Sequence, residues 1–503
     1  MTAAAAGQPF VVSRTLVVGG WLVVGSLVAG LAAGQLVVGG RGNLVVPLAL
    51  VLFPVALWKR FEIAPLVLAG TALTIEQFPE IGSLGSLTTQ IPLFHGLGGF
   101  RPSDLMALLM LTVYVARSGT DAVGPAPRSA LAKAILFLLG AVAVGLAVGI
   151  GGGGSSRVAL TEIRPYLYLA VAYLVVSTAI RTRRHVRALL WTCVLAIAFK
   201  ACQALYIFLA VRNLNPRPEA VLGHEESLFF ATFVCLTMAL WLFDVRGHLR
   251  TTVTVLTPVV VLADLANGRR VAWLILAAGL IVLIVVGLVA VPRRRKFLWR
   301  FAFVLTAFSV VYFPAYWNKT GGFAQPARAF HSALAPDPRD AASNLYRVQE
   351  DANLNLNIRE AGHLGKGFGV PIDYALPIVD ISDIDPYIAY IPHNGVLYLF
   401  MRMGVYGAAA FWCLVAAAIV SGCRLARSGD SEFAAVGLLI ASVVTGYTIL
   451  GLNDQGFFYY RVAILLGVLL GLGEALVRLS KAPAGPVDAR PAPALVLAGE
   501  AGR

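Results

Sequence analysis

The residues best suited to chemistry stand where apolar segments meet polar ones. They are Arg164 in "EIRPYLYL", His224 and Glu225 in "GHEESLFFATF", Arg269 and Arg270 in "NGRRVAW", His393 and Asn394 in "IPHNGVLYLF", and Arg461 in "FFYYRVA". A histidine titrates near neutrality, so His393 is the natural proton acceptor of the set. Arginine is the natural partner of phosphate, because its planar fork donates two parallel hydrogen bonds. Arg164, Arg212, Arg269, Arg270 and Arg461 converging on one face would suit an anionic ligand; the plainer alternative is that each reaches separately to lipid headgroups. Arg269 and Arg270 occupy a very short connection, where the next helix also places its positive N-terminal end. Asn394 suits an N-cap. Glu225 and Glu226 fit either helix capping or chemistry, and His224 adds a second titrating group beside them.

The elements that hold these residues follow from composition. Of 503 residues, 58% are hydrophobic and 13% charged, against roughly half and a quarter in soluble domains. Most of the chain belongs in lipid, and the net charge of +14 is read as basic cytoplasmic loops rather than as a nucleic-acid surface. Apolar segments long enough for a bilayer, roughly 17–25 residues or somewhat shorter, fall near 16–37, 44–58, 63–75, 103–117, 129–150, 163–180, 188–212, 227–244, 251–266, 271–291, 301–316, 396–423, 432–452 and 457–479. The expected fold is therefore an all-α polytopic transmembrane bundle of about 12–14 spans. With the N-terminus inside, "KRFE", the segment with Arg117 and Arg128, "RTRRHVR", "RGHLR", "PRRRKFLWR", "RLAR" and the tail from Arg478 all fall on the cytoplasmic side, and every one is basic. Both termini are then inside. The division is 1–316 with the first eleven spans, 317–395 as one large, partly helical extracytoplasmic loop, 396–480 with the last three spans, and 481–503 as a disordered Pro/Ala/Gly-rich tail. The first apolar run is read as a retained span, and the five cysteines as small buried hydrophobes.

Within the large loop, "ASNLYRVQEDANLNLNIREAG" reads as a helix with a glycine stop, and "GKGFGVP" as turns and extended chain. "DISDIDPY" contains a D-x-D, a weak signal for a divalent metal, and no metal is assigned. Three further charges lie within spans: Lys200, Asp264 and Arg402. Arg402 follows His393 by nine residues, which places it on the opposite helix face and about 13 Å deeper. It is expected to form an interior ion pair or to bind backbone carbonyls, with Asp264 an available acid.

"RRVAW", one large late loop and then "PHNGVLYLFMRMGVYG" opening the next helix together resemble the O-antigen ligase and O-antigen polymerase superfamily of bacterial membrane glycosyltransferases. The resemblance is most specific over about 260–415, with the helix pattern extending it loosely to most of the chain. It implies a GT-C type fold and a polyprenyl-diphosphate-linked glycan donor, used without a cofactor on the outer face of the cytoplasmic membrane. His393 would be the base toward an acceptor hydroxyl on a glycan or lipid. Arg270, matched by its spacing from Trp273, would clamp the diphosphate, helped by Arg269 and by Arg164 or Arg461; Asn394, Glu225 and His224 would support. One base and no evident carboxylate nucleophile predict inversion at the anomeric carbon. Many members carry an acid at the position of Arg402, so the resemblance gives that residue no role. The rival class is a transporter or flippase for lipid-linked sugars, which intramembrane charges would also suit; a pure scaffold leaves the arginines unexplained.

Overall fold

The computed structural model describes residues 53–77, 93–94, 100–118, 123–211, 213–214, 220–319, 321–380 and 387–481. Two short leading helices, α1 (Ala64–Thr74) and α2 (Pro102–Arg117), precede α3 (Ala130–Gly151), α4 (Ser156–Ala179), α5 (Arg183–Val211), α6 (Glu225–Leu242), α7 (His248–Asn267), α8 (Arg270–Ala290) and α9 (Arg295–Tyr316). After them come α10 (Gln325–Leu334), α11 (Pro338–Ala361), α12 (Gly395–Ala426), α13 (Ser431–Asn453) and α14 (Tyr460–Lys481). The chain is an all-α bundle, and among the described residues ten of these helices are long and apolar enough to cross a membrane. Each coincides with one of the last ten expected spans. The runs at 63–75 and 103–117 are also helical, as α1 and α2. The expected span 16–37, most of 44–58, the tail from 482, Arg212 and the D-x-D at Asp383 and Asp385 lie outside the described residues.

Burial separates a core from a rim. Helices α13, α6 and α14 are largely buried, whereas α9 is almost wholly exposed or half-exposed and turns most of its aromatic and β-branched side chains outward. At one end, basic connections bind acids or helix carbonyls. Arg187 pairs with Glu432 at 3.2 Å, and Asp244 accepts from Arg250 and Arg246 and forms an ion pair with Arg294. Arg478 donates to the carbonyls of Ser177 and Ile180, both 2.6 Å away. Cys193 and Cys235 are buried as expected, but Cys202 and Cys413 lie on the surface. Being small and apolar, they fit a lipid-facing side as well as a core.

The helix expected within 317–395 is α11. It begins at the Asp337 cap, ahead of the Ser-Asn start read from sequence, and stops at Gly362, whose φ is 68°. The segment after it departs from a solvated loop. Residues 365–370 run as a strap between α3, α4 and α12, with Phe368 fully buried. Buried backbone groups need partners, and the strap finds them on all three helices. Lys366 N donates to Met401 O (2.6 Å), Gly367 N to Arg402 O (3.2 Å) and Phe368 N to Gly145 O (3.1 Å). Gly369 N donates to Glu162 Oε2 (2.5 Å), and Gly369 O accepts from Ser155 N (2.8 Å). The carbonyls of 401 and 402 are open to the strap because α12 breaks at Gly404 (φ 60°, ψ −153°), which interrupts the helical ladder there.

The strap tolerates little at its tightest point. A Cβ on Gly367 would sit 2.1 Å from Gly149 N, and its φ of +83° disfavours any L side chain. Gly367→Ala is therefore expected to lower stability by more than about 1–3 kcal/mol, read as thermal unfolding in detergent. Gly140→Ala is the control, since an added Cβ there meets nothing within 4 Å. Equal melting curves for the two variants would contradict a packed strap.

Candidate active site at the helix-loop end of the bundle

His393 immediately precedes the N-cap of α12, and α11 lies against it. Glu350, whose side chain is 1% exposed, holds it twice: Oε2 accepts from His393 N (2.9 Å) and Oε1 faces His393 Nδ1 (3.2 Å). With the Nδ1 proton given to Glu350, the lone pair is left on Nε2. The next residue repeats the arrangement, with Asn394 Nδ2 donating to Asp351 Oδ2 (3.3 Å). Asn394 Oδ1 also accepts from Leu397 N (3.1 Å), the N-cap expected of it. Tyr346, one turn before Glu350, packs edge-on to the imidazole with centroids 5.6 Å apart. Burial pushes the His393 imidazole down, but the Glu350 carboxylate outweighs it, and its pKa stands above the ordinary value.

The turn between α13 and α14 adjoins this histidine. Gln455, in "NDQG" between α13 and α14, donates to Ile391 O at 3.2 Å. Its neighbour Asp454 pairs with His224, accepts from Gln455 N (2.8 Å) and Tyr459 Oη (3.1 Å), and acts electrostatically on His393. Burial pushes the Asp454 carboxyl up, yet His224 and the hydrogen bonds prevail and hold it below the usual carboxylate range. The connection between α7 and α8 is stitched to the start of α6. Asn267 accepts from Leu222 N (2.9 Å) and donates to Gly223 O (3.3 Å), while Arg269 donates to Leu222 O (3.2 Å).

The remaining arginines divide by environment. Arg270, about a third exposed, binds Asp340 at 3.0 Å; Arg328 shares that acid at 3.6 Å. Arg347, on α11 between Tyr346 and Glu350, acts electrostatically on both Arg270 and His393. Arg164 and Arg461 are buried. Arg164 is fixed by Asp104 (3.1 Å) and Thr161 (3.1 Å). Arg461 is held by Glu226 (2.6 Å), Glu225 (3.9 Å), the Ala72 carbonyl (2.8 Å) and the Phe229 face. Glu225 and Glu226 thus belong to a buried charge network, which Lys200 joins through Glu226 (3.6 Å) and Glu76. Asp264 makes no hydrogen bond or ion pair with Lys200 or Arg402 among the described residues. Arg402 instead pairs with Glu162 at 2.7 Å and donates to the carbonyls of Gly367, Val370 and Tyr390.

His393, Asn394, His224, Arg269 and Arg270 are therefore gathered at one end by α11 and two short turns. Sequence reasoning gave no role to Glu350, Tyr346, Arg347, Asp454 or Glu162. The available signals were an acidic pair in the middle of a loop helix and a lone acid in a four-residue turn between apolar helices. No protein-family model matches the chain, and a search of curated proteins finds no relative.

Proposed function

We propose that this chain is a membrane glycosyltransferase of the O-antigen ligase or polymerase type. It moves a glycan from a polyprenyl diphosphate to an acceptor hydroxyl on the outer face of the bacterial cytoplasmic membrane. The observation behind the proposal is the Glu350–His393 pair in the neighbourhood of Arg269 and Arg270. A carboxylate that orients an imidazole and stabilises its cation makes a good base of Nε2. The acceptor hydroxyl gives its proton to Nε2 as its oxygen attacks the anomeric carbon, and the bond to the diphosphate breaks with inversion. Arg270 and Arg269 take up the charge that gathers on the leaving diphosphate. Arg270 is paired with the Asp340 carboxylate through one Nη1 contact of 3.0 Å, and in this reading the diphosphate takes that anion's place.

The test uses purified protein in nanodiscs with a polyprenyl-diphosphate oligosaccharide and a mixed acceptor pool, following release of polyprenyl diphosphate. Wild type should release it. His393→Ala should lower kcat by about 10²–10⁴-fold, and Arg270→Ala should raise the donor KM as well as lower kcat. Product length separates polymerase from ligase. The buried Lys200–Glu226–Arg461 network favours a second reading, a transporter of lipid-linked sugars. Donor crossing the bilayer with no bond cleaved would select it.

A further inference from the structure

We propose that His224 is a third diphosphate-contacting cation, so that protonation of one imidazole sets how tightly this site holds an anionic donor. The inference rests on the donor reading above and adds a residue that the base and the arginine fork leave unused. His224 turns Nδ1 inward to Asp454, whose side chain is 5% exposed, while its own side chain remains 30% exposed. Asp454 is a poor candidate to act alone, because its oxygens already accept from Gln455 N, Tyr459 Oη and His224. Its contact with Nδ1 fixes the orientation of the His224 ring and leaves Nε2 on the other side. Tyr459 stacks on the ring with centroids 6.4 Å apart. The stitching of Leu222 and Gly223 to Asn267 and Arg269 puts His224 directly beside the arginine turn.

The surrounding charges leave His224 able to meet an anion. On its own helix, Glu226 binds Arg461 and Lys200, and Glu225 also faces Arg461. The α7–α8 turn presents Arg269, the α13–α14 turn presents Asp454 and Tyr459, and from the α12 side His393 is held by Glu350. Asp454 balances one charge, and a diphosphate brings more than one. An imidazolium Nε2–H beside Arg269 supplies a charge-assisted donor that a neutral imidazole supplies far more weakly.

The experiment measures binding of farnesyl diphosphate to the full chain in detergent, at about pH 6 and about pH 8.5, either side of the ordinary histidine range. Wild type is compared with His224→Gln, His224→Lys and Arg270→Gln. His224→Gln should weaken binding about tenfold at the lower pH, the worth of one charged hydrogen bond. His224→Lys, whose charge persists, should match wild type at the lower pH and outbind it at the higher one; it also reads the ligand's own titration. The inference is overturned if His224→Gln binds as tightly as wild type at the lower pH. It is equally overturned if the Lys variant and wild type keep a constant affinity ratio across pH, a comparison that decides even if the Gln variant does not fold. If Arg270→Gln loses binding in either case, the donor site stands without His224. If Arg270→Gln binds as wild type, the donor reading itself falls.

Discussion

Glu350→Gln is expected to lower turnover by about 10²–10³-fold and to move the rising limb of the pH–rate profile to lower pH. Glutamine keeps the size of the side chain and can still accept from His393 N, but it loses the charge opposite Nδ1. In the native protein Glu350 lifts the imidazole pKa above its ordinary value against the effect of burial. A base works when neutral, so activity should increase with pH through that raised pKa. Without the carboxylate, burial dominates and the limb shifts to lower pH, while the neutral imidazole that remains is a weaker base with a less certain tautomer. The same pair contributes to stability with the opposite slope. A pKa raised on folding gives stabilisation that is complete below the unfolded value and lost as pH rises through the folded one. Glu350→Gln should therefore flatten the decline in melting temperature from mildly acidic to mildly alkaline pH. Turnover as high as wild type, with an unmoved profile, would remove His393 from the chemistry.

Arg402→Ala is expected to be the most damaging single change for stability, at about 3–5 kcal/mol. Arg402 and Glu162 are both fully buried, so removing the cation leaves Glu162 without its charge partner. Tyr398 Oη and Gly369 N still donate to Glu162, but neither supplies a charge. Three strap and loop carbonyls lose their donor at the same time, including that of Tyr390, three residues before His393. The strap should loosen first, so limited proteolysis within 362–370 should accelerate more than cleavage elsewhere. Combining Arg402→Met with Glu162→Gln should recover part of the loss, because neither change then strands a buried charge. If Arg402→Ala alone melts like wild type, the pair does not hold the strap.

The ten long spans were legible because lipid offers backbone groups no partner, so hydrophobic runs of sufficient length have one stable local solution. That is why each long helix coincides with an apolar run, though some, such as α4, α5 and α9, begin five to seven residues earlier, and why Asn394 could be placed as an N-cap from its position alone. Residue type also marked His393 and the arginine turn. Pairing was not legible. Arg164, Arg270 and Arg461 look alike in sequence, yet Asp104 and Glu226 bury two of them, while the third reaches the surface beside Asp340. The acid facing His393 lies 43 residues earlier on α11, a separation that carries no periodic signal. Arg402 was correctly expected to seek an acid or carbonyls; which acid depended on where α4 lies. "GKGFGVP" reads the same whether it loops into water or threads between helices, and only the break at Gly404, the close approach at Gly149 and the Glu162–Arg402 pair decide that it is buried. The helices and the residue types able to do chemistry could be read from the chain before folding, because both follow from local covalent character and transfer free energy. Which charges neutralise one another, and which carboxylate faces His393, came only with the packed fold, because those depend on distances between segments far apart in the chain.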